Sequence, residues 1–141
     1  MAYDANNIFA RMVRGEIPCI KVYEDAETLA FMDIMPQSEG HTLVIPKLAG
    51  ETLFDTPAAA VLATMQTTQR VARAVQRAFD APGLIVTQFN GAVSGQTVFH
   101  LHFHIIPVYR AGTFRPHARE RVEGTILEAQ ALRIRAALLE S

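Results

Sequence analysis

Histidine alternates with large apolar residues from His100 to Ile106, where the chain reads His-Leu-His-Phe-His-Ile-Ile. Successive side chains of an extended strand leave opposite faces, so this spacing predicts a strand with three imidazoles on one face. Leu101, Phe103 and Ile105 would enter the core from the other face. Because imidazole titrates near neutral pH, each ring can act as nucleophile, acid or base. The pattern therefore indicates a site suited to proton and phosphoryl chemistry.

Two other interpretations compete with this one. The histidines could form the solvated face of an edge strand, although solvation explains poorly why three alternate beside a glycine-rich loop. Two of them, with His41 as a third ligand, could instead bind zinc. Against a metal, the sequence has no cysteine pair, no acidic residue beside the triad and no His-Glu-x-x-His segment. The residues favour phosphorus chemistry, in which one ring attacks, a neighbour protonates the leaving group, and amides of Ser94 and Gly95 hold anionic oxygens.

Length and charge exclude several classes of protein. At 141 residues the chain can bury a core without disulfides or a structural metal. Its net charge of −1 gives no overall positive field, so nucleic acid is not expected as a partner. No apolar run approaches the roughly 20 residues of a membrane span, and the N-terminus lacks the pattern of a secretory signal. We expect a single-domain cytoplasmic protein without a membrane partner.

Helical periodicity predicts three helices. A short one is expected over residues 6–14, a long one from about Pro57 to Asp80, and a C-terminal one that opens at a capping box, Thr125 to Glu128, and runs to about Leu139. The buried seam of the long helix should consist of apolar and small residues at three- and four-residue spacing, namely Val61, Met65, Thr68, Ala72, Val75 and Phe79.

Strand-like runs complete the prediction of an α+β domain with a five-stranded antiparallel sheet. The histidine run is expected to lie on the last strand, beyond the loop of residues 90–96. The five runs span residues 20–24, 28–34, 42–45, 84–89 and 98–109.

The histidine run resembles the signature of the histidine triad (HIT) family, His-φ-His-φ-His-φ-φ with φ apolar, and matches it at each position. The similarity covers roughly residues 6–110 and is of the Hint type, while the C-terminal extension of residues 111–141 matches no family motif. The resemblance implies a single domain with a HIT-like fold. Other matching segments are Gly15-Glu16-Ile17-Pro18, Val22-Tyr23-Glu24-Asp25, Ala30-Phe31-Met32-Asp33-Ile34, Pro36-Gln37, Gly40-His41-Thr42-Leu43-Val44-Ile45-Pro46-Lys47 and Gly95-Gln96-Thr97-Val98.

The same resemblance implies the catalytic residues. HIT proteins cleave the bond between the α-phosphorus of a purine nucleotide and its leaving group, through a nucleotidyl-histidine intermediate. His102 matches the nucleophile, and such a covalent intermediate divides one difficult displacement into two easier ones. His104 matches the ring proposed to protonate the leaving group. His100 and His41 match rings that organise the pocket and its proton network.

Substrate contacts are implied in the same way. Asp33 matches the carboxylate that accepts the ribose hydroxyls, although an aspartate there could also form a turn. Asn90, Gly95, Gln96 and Thr97 match residues at the phosphate and leaving-group side, although Asn90-Gly91 could be only a tight turn. Five apolar residues match the walls around the base but could equally be plain core: Ile8, Phe9, Phe31, Ile34 and Leu43.

One departure from the family bears on metal binding. Many bacterial relatives carry Cys-x-x-Cys and a later histidine that together bind structural zinc, whereas this chain has Asn7, Ala10 and Ala49 there. We therefore expect a protein without metal or cofactor.

The family also implies the substrate and the assembly. The expected activity is hydrolysis of an adenosine phosphoramidate or an aminoacyl-adenylate-like compound by a homodimer. Cleavage of dinucleoside polyphosphates, or nucleotide-dependent regulation with little turnover, are the alternatives.

Overall fold

A computed structural model of the protein describes residues 2–113 and 120–140. Within this part, the predicted α+β architecture is confirmed, with three helices and five strands. No helix there combines the length and apolar character that crossing a membrane requires. The elements in chain order are α1 (Ile8–Val13), β1 (Lys21–Glu24), β2 (Thr28–Met32), β3 (Thr42–Pro46), α2 (Ala58–Phe79), β4 (Gly83–Thr87), β5 (Phe103–Val108) and α3 (Gly124–Leu139).

The five strands form one antiparallel sheet in the order β1-β2-β3-β5-β4. The last strand along the chain is therefore inserted between β3 and β4. In this register His104 of β5 lies opposite Leu43 of β3 and opposite Thr87 of β4. The insertion places the end of the histidine run in the middle of the sheet, where neighbouring strands fix its position.

Both faces of the sheet are covered. The two helices α2 and α3 pack on one face, and every residue of β2 and β3 is buried. The short helix α1 packs on the opposite face, where Phe9 meets Phe31 with ring centroids 5.3 Å apart. The histidine-bearing end of β5 opens toward the α1 side, so α1 forms one wall of the space above it.

The buried face of α2 differs from the predicted seam. Met65 is 40% exposed, whereas Thr64 and Thr67 are buried. The buried threonine hydroxyls are satisfied locally, because Thr64 donates to the Ala60 carbonyl at 2.7 Å and Thr67 pairs with Thr28 at 2.8 Å. Such bonds remove the cost of burying a hydroxyl, so threonines can occupy positions on the inner face of the helix. The prediction was wrong for Met65 because helical spacing placed the seam there, whereas the buried face passes through Thr64 and Thr67.

The C-terminal helix lies where it was expected but begins differently. It starts at Gly124 after Glu123, whose side chain makes no capping bond, so the predicted capping box is wrong. Glu128 pairs instead with Arg135 at 3.0 Å. Ahead of the helix, the Val122 amide donates to the Ile34 carbonyl at 3.0 Å. The C-terminal extension is thereby attached to a residue of the cavity described below.

Candidate active site

A cavity of about 380 Å³ opens between α1 and the sheet. Its volume lies within the range of about 300–1,000 Å³ that is usual for small-molecule sites. One end is polar and carries histidines and a carboxylate, while the rest is mostly apolar. Ten residues predicted to form the site line it, namely Ile8, Phe9, Phe31, Asp33, Ile34, His41, Leu43, Thr97, His102 and His104.

His102 is buried with its ring in a defined tautomer. Its Nδ1 lies 2.7 Å from the His100 carbonyl, and a carbonyl can only accept, so Nδ1 carries the hydrogen. The lone pair is then on Nε2. Burial lowers the pKa of His102 to about 4, which keeps the ring neutral at pH 7. Phe9 packs edge to face against it at 5.0 Å between centroids. The site therefore contains an uncharged imidazole that is restrained for nucleophilic attack.

A second chain of hydrogen bonds fixes the tautomer of His104. The Gln37 backbone amide donates to His41 Nδ1 at 2.9 Å, so the hydrogen of neutral His41 is on Nε2. His41 Nε2 lies 3.0 Å from His104 Nδ1 and donates to it. Burial lowers the pKa of His41 to about 4, and repulsion from His102, when that ring is protonated at low pH, adds to the effect. His104 must then carry its hydrogen on Nε2, the arrangement needed to donate to a ligand.

Asp33 forms the turn considered for it and also lines the cavity, while its contact with ribose stays a prediction. Its Oδ1 accepts the Met35 amide at 2.8 Å, which is the turn interaction. Its Oδ2 lies 3.5 Å from His41 Nε2 at the cavity wall. Burial raises the pKa of Asp33 to about 6, partly offset by the Met35 hydrogen bond. At neutral pH the carboxylate is largely ionised and can accept hydrogen bonds from a bound ligand.

The His100 ring does not line the cavity, although Phe9 packs edge to face against it at 6.5 Å between centroids, as it does against His102. The strand begins only at Phe103, because the residues before it bond elsewhere; the Leu101 amide, for example, donates to the Gly50 carbonyl at 2.8 Å. The His100 ring is buried away from the cavity, with Nε2 2.7 Å from the Pro46 carbonyl. The predicted strand is therefore too long at its start, since His100 and His102 both precede it, and only His102 and His104 of the three rings line the cavity.

The loop predicted to hold phosphate is organised around itself. The Gln96 side chain donates to the carbonyls of Glu51 and Val98 and accepts the Gly91 amide at 2.8 Å, so it supports the loop rather than lining the cavity. The backbone amide of Gly95 bonds to the Ala92 carbonyl at 3.0 Å. The Gly95 amide and the Gln96 side chain are occupied by these hydrogen bonds and do not line the cavity, and their contact with phosphate stays a prediction.

Asn90 also lies outside the cavity wall. Its Oδ1 accepts the Leu53 amide at 2.8 Å, and its side chain forms a reciprocal amide pair with Gln88. The amide of Ser94, which was expected to hold anionic oxygens, bonds to the Gly91 carbonyl at 3.1 Å. Of the residues predicted at the phosphate side, Thr97 reaches the cavity.

Three donor groups approach the spacing of a metal site. One nitrogen or oxygen atom from each of Asp33, His41 and His104 lies within 4.8 Å of the others. However, a cation would need the lone pair of His41 Nε2, while the Gln37 amide needs that of Nδ1. One neutral imidazole cannot supply both. The cluster is therefore better suited to hydrogen bonding than to metal binding.

The zinc site of the bacterial relatives has no equivalent among these side chains. The Asn7 side chain accepts the Ala10 amide at 2.9 Å as the N-cap of α1. Ala10 and Ala49 offer no ligand atom. The donors present do not fit a tetrahedral zinc of thiolates and imidazoles. The absence of a structural metal stays a prediction.

The cavity contains residues that the sequence did not single out. The most informative is Gln37, which belongs to a segment that matches the family but acts through its backbone amide, so its side-chain type did not indicate this role. Phe89 packs edge to face against His104 at 5.6 Å between centroids. The remaining unexpected lining residues are Met12, Met32, Met35, Val98 and Ile106.

The sheet, its covering helices and the paired imidazoles define a small α+β protein built around a histidine-lined cavity. Comparison with known families gives the class directly. The model described as "HIT domain" matches residues 14–111, and the chain belongs to this family. The resemblance inferred from the histidine run is thereby confirmed.

Three relatives illustrate the similarity in sequence. "Protein hit" of Bacillus subtilis (strain 168) is 42% identical over 107 residues, which cover 76% of this chain and 74% of that protein. "Adenylylsulfatase HINT3" of Arabidopsis thaliana is 41% identical over 71% of this chain and 51% of its own length. "Adenosine 5'-monophosphoramidase HNT1" of Saccharomyces cerevisiae (strain ATCC 204508 / S288c) is 39% identical over 74% of this chain and 63% of its own. The chain thus spans about half of HINT3 and less than two thirds of HNT1.

Solved structures confirm the fold. A Hit-like protein from Bartonella henselae, described as involved in cell-cycle regulation, has a TM-score of 0.91 and 49% identity over 97% of this chain and 99% of that chain. A histidine triad nucleotide-binding protein from Sulfolobus tokodaii strain7 has a TM-score of 0.86 and 30% identity over 94% and 92%. The similarity covers almost the whole chain, including α1 and α3 outside the family match.

Proposed function

We propose that the protein hydrolyses purine nucleoside 5′-monophosphates linked through the α-phosphorus to an amine or other leaving group, with an adenosine phosphoramidate as the preferred type. The observation that carries this proposal is the His102 Nδ1 hydrogen bond to the His100 carbonyl, at 2.7 Å. It directs the Nε2 lone pair of a neutral, buried ring away from its own backbone. An imidazole held in this way is an activated nucleophile.

The reaction would proceed in two displacements at phosphorus. In the first, His102 Nε2 forms a bond to the α-phosphorus while the bond to the leaving nitrogen breaks. That nitrogen takes a proton from His104, which begins the step as a positively charged imidazolium with a hydrogen on each nitrogen and ends it neutral. The His102 ring becomes positively charged, and its Nδ1 hydrogen remains on the His100 carbonyl, which stabilises the charge. In the second, water attacks phosphorus while the bond between His102 Nε2 and phosphorus breaks, and the water gives a proton to His104. This releases the nucleotide and returns His102 to its neutral form.

The names of the relatives support this substrate class. HINT3 is named as an adenylylsulfatase and HNT1 as an adenosine 5'-monophosphoramidase. Both names describe cleavage of a bond to the phosphorus of an adenosine 5′-monophosphate group, with chemically different leaving groups. The cavity fits this description, since its apolar part can receive a base and its polar end carries the histidines.

The direct test is mass spectrometry of the protein mixed with an adenosine 5′-phosphoramidate and stopped at short times. We expect release of AMP and a protein species heavier by one adenylyl group. Nucleotide binding by calorimetry without either product would favour the regulatory alternative. Much faster turnover of diadenosine polyphosphates than of the phosphoramidate would favour the polyphosphate alternative.

Asp33→Ala is expected to raise KM by roughly 10- to 100-fold with a smaller effect on kcat, because a carboxylate that accepts two ribose hydroxyls contributes mainly to ground-state binding. Asp33→Asn is the matched control, since its amide oxygen can still accept the Met35 amide and preserve the turn. Steady-state kinetics with the adenosine substrate and its 2′,3′-dideoxy analogue separate the contact with ribose from the turn interaction with the Met35 amide. If Asp33 contacts ribose, the analogue should bind the wild type and Asp33→Ala equally weakly. A KM of Asp33→Ala equal to that of the wild type would count against the contact.

We further propose that two copies of the chain associate through the β4 edge of the sheet. Strand β4 pairs on one side with β5 and is the last strand of the sheet, and Val86 on it is 43% exposed. Beside it, Leu62 and Met65 of α2 are 66% and 40% exposed and border an apolar groove of about 710 Å³. An unpaired edge next to apolar side chains is suited to pairing with a second copy of the same edge.

Leu62→Glu is expected to convert the dimer to a monomer, because it places a charge in the apolar contact. Sedimentation velocity should give twice the 15.5 kDa chain mass for the wild type and the single-chain mass for the variant. Leu132→Glu is the matched control, since Leu132 is 62% exposed on α3 and does not line the groove. A wild type that sediments as a monomer would overturn the proposed association.

A further inference from the structure

We propose that Tyr3 is a positioning residue for the nucleophile, holding His100 so that the His100 carbonyl keeps His102 in its reactive orientation. The inference rests on the proposed function, in which His102 attacks phosphorus. Tyr3 lies outside the HIT-domain match, which begins at residue 14, and no pattern in the sequence marks it.

The contact between Tyr3 and His100 is direct. The Tyr3 hydroxyl lies 2.5 Å from His100 Nδ1, and the two rings meet edge to face at 5.8 Å between centroids. On the other side of the ring, Nε2 lies 2.7 Å from the Pro46 carbonyl and must donate to it. Nδ1 of the neutral ring is then an acceptor, so the Tyr3 hydroxyl is the donor. Both nitrogens of a ring that is 1% exposed are therefore used.

The protonation states agree with this assignment. Burial lowers the pKa of His100, which favours the neutral ring with one acceptor nitrogen. Burial also raises the pKa of Tyr3, which keeps its phenol protonated and able to donate.

The hydrogen bonds of the His100 ring help to fix the position of this residue, because its backbone is not part of a strand. Strand β5 begins at Phe103, so His100 lies in the irregular segment before it. The Leu101 amide holds this segment to the Gly50 carbonyl on one side. The two ring hydrogen bonds of His100 are the other restraint, and the His100 carbonyl is the group that accepts His102 Nδ1. Loosening the ring would thus loosen the carbonyl that orients the nucleophile.

Loss of the hydroxyl should leave the cavity wall in place. Helix α1 is capped by the Asn7 side chain, which accepts the Ala10 amide at 2.9 Å, and Phe9 packs on Phe31. The Asn7 side chain also contacts the Tyr3 hydroxyl, but its bond to the Ala10 amide does not require that hydroxyl. Arg14 also holds the N-terminal segment by donating to the Ala5 carbonyl at 2.7 Å. Substrate binding should therefore be preserved when the orientation of His102 is relaxed.

The test is Tyr3→Phe, with Tyr23→Phe as the matched control. The control also removes one donating hydroxyl, from a tyrosine that bonds to Asp25 and does not line the cavity. We expect Tyr3→Phe to lower kcat roughly three- to tenfold, the effect of one hydrogen bond, with KM close to that of the wild type. The control should change neither. Long-range proton–nitrogen NMR of the substrate-free protein should show the His102 Nδ1 hydrogen exchanging faster with water in Tyr3→Phe than in the control.

Each outcome decides the proposal. Faster exchange together with a kcat-only effect supports it. Unchanged exchange overturns it, and so does a rise in KM without a fall in kcat, which would make Tyr3 part of the cavity wall. If the wild type turns over no nucleotide, the proposed function fails, and the exchange rate alone then decides whether Tyr3 positions His102. Thermal unfolding of both variants checks that each is folded.

Discussion

Replacing His102 with alanine is expected to lower hydrolysis of an adenosine 5′-phosphoramidate by about 10³-fold or more, because it removes the group proposed to form the covalent bond to phosphorus. Affinity for AMP should stay close to that of the wild type, since base, ribose and phosphate contacts are spread over the cavity. The adenylyl adduct seen with the wild type should be absent. Single-turnover kinetics and calorimetry with AMP measure the two effects separately.

Folding of the variant must be controlled, because His102 is buried and packs against Phe9. His102→Asn keeps a polar side chain in the same space and removes the nucleophilic imidazole, so it should lose turnover to the same extent. If the variants unfold at the same temperature as the wild type but have lower activity, the loss is due to the missing nucleophile and not to misfolding. Retained turnover in either variant would refute the assignment of His102 as nucleophile.

Much of the fold could be predicted because its signals are periodic and local. Strand-like apolar runs predicted the five strands, and the antiparallel sheet is confirmed. Burial was predicted wrongly at positions where a side-chain hydrogen bond allows a polar residue to be buried. Thr64 is buried because its hydroxyl reaches the Ala60 carbonyl, while Met65 beside it is 40% exposed. A periodicity argument ranks these two residues in the opposite order.

The candidate site could be predicted to the extent that it depends on residue type. The histidine run and its family resemblance led to His102 and His104, and both line the cavity. The hydrogen bonds that fix these rings come from backbone groups, namely the His100 carbonyl and the Gln37 amide. Any residue has these groups, so the sequence carries no signal for them. Gln96 shows the converse, since its polar side chain suggested a ligand contact but serves the loop.

These backbone contacts explain why two similar imidazoles can have different roles. A carbonyl next to His102 Nδ1 places that ring's hydrogen on Nδ1 and its lone pair on Nε2. An amide next to His41 Nδ1 does the reverse, and the effect passes through His41 Nε2 to His104. The nucleophile thus presents a lone pair, and its neighbour presents a hydrogen, with ring centroids 5.0 Å apart. Donor and acceptor are assigned before any substrate binds.

The second large effect is therefore expected at His104 and should depend on the leaving group. His104→Ala should lower kcat for an alkylamine phosphoramidate by about 10²- to 10⁴-fold, the usual contribution of a general acid, because the departing nitrogen must be protonated. For an adenosine 5′-phosphate ester of an acidic phenol, which leaves without a proton, the loss should be small.

The anionic phosphate of the substrate favours a positively charged His104, which becomes neutral once it has protonated the nitrogen. While His104 is charged, the hydrogen on His41 Nε2 has Asp33 Oδ2, 3.5 Å away, as an alternative acceptor.

His102→Ala should lose activity equally on both substrates, since the nucleophile is needed whichever group leaves. Comparing the two variants on the two substrates therefore separates acid from nucleophile, and equal losses for His104→Ala on both would show that His104 does not protonate the leaving group.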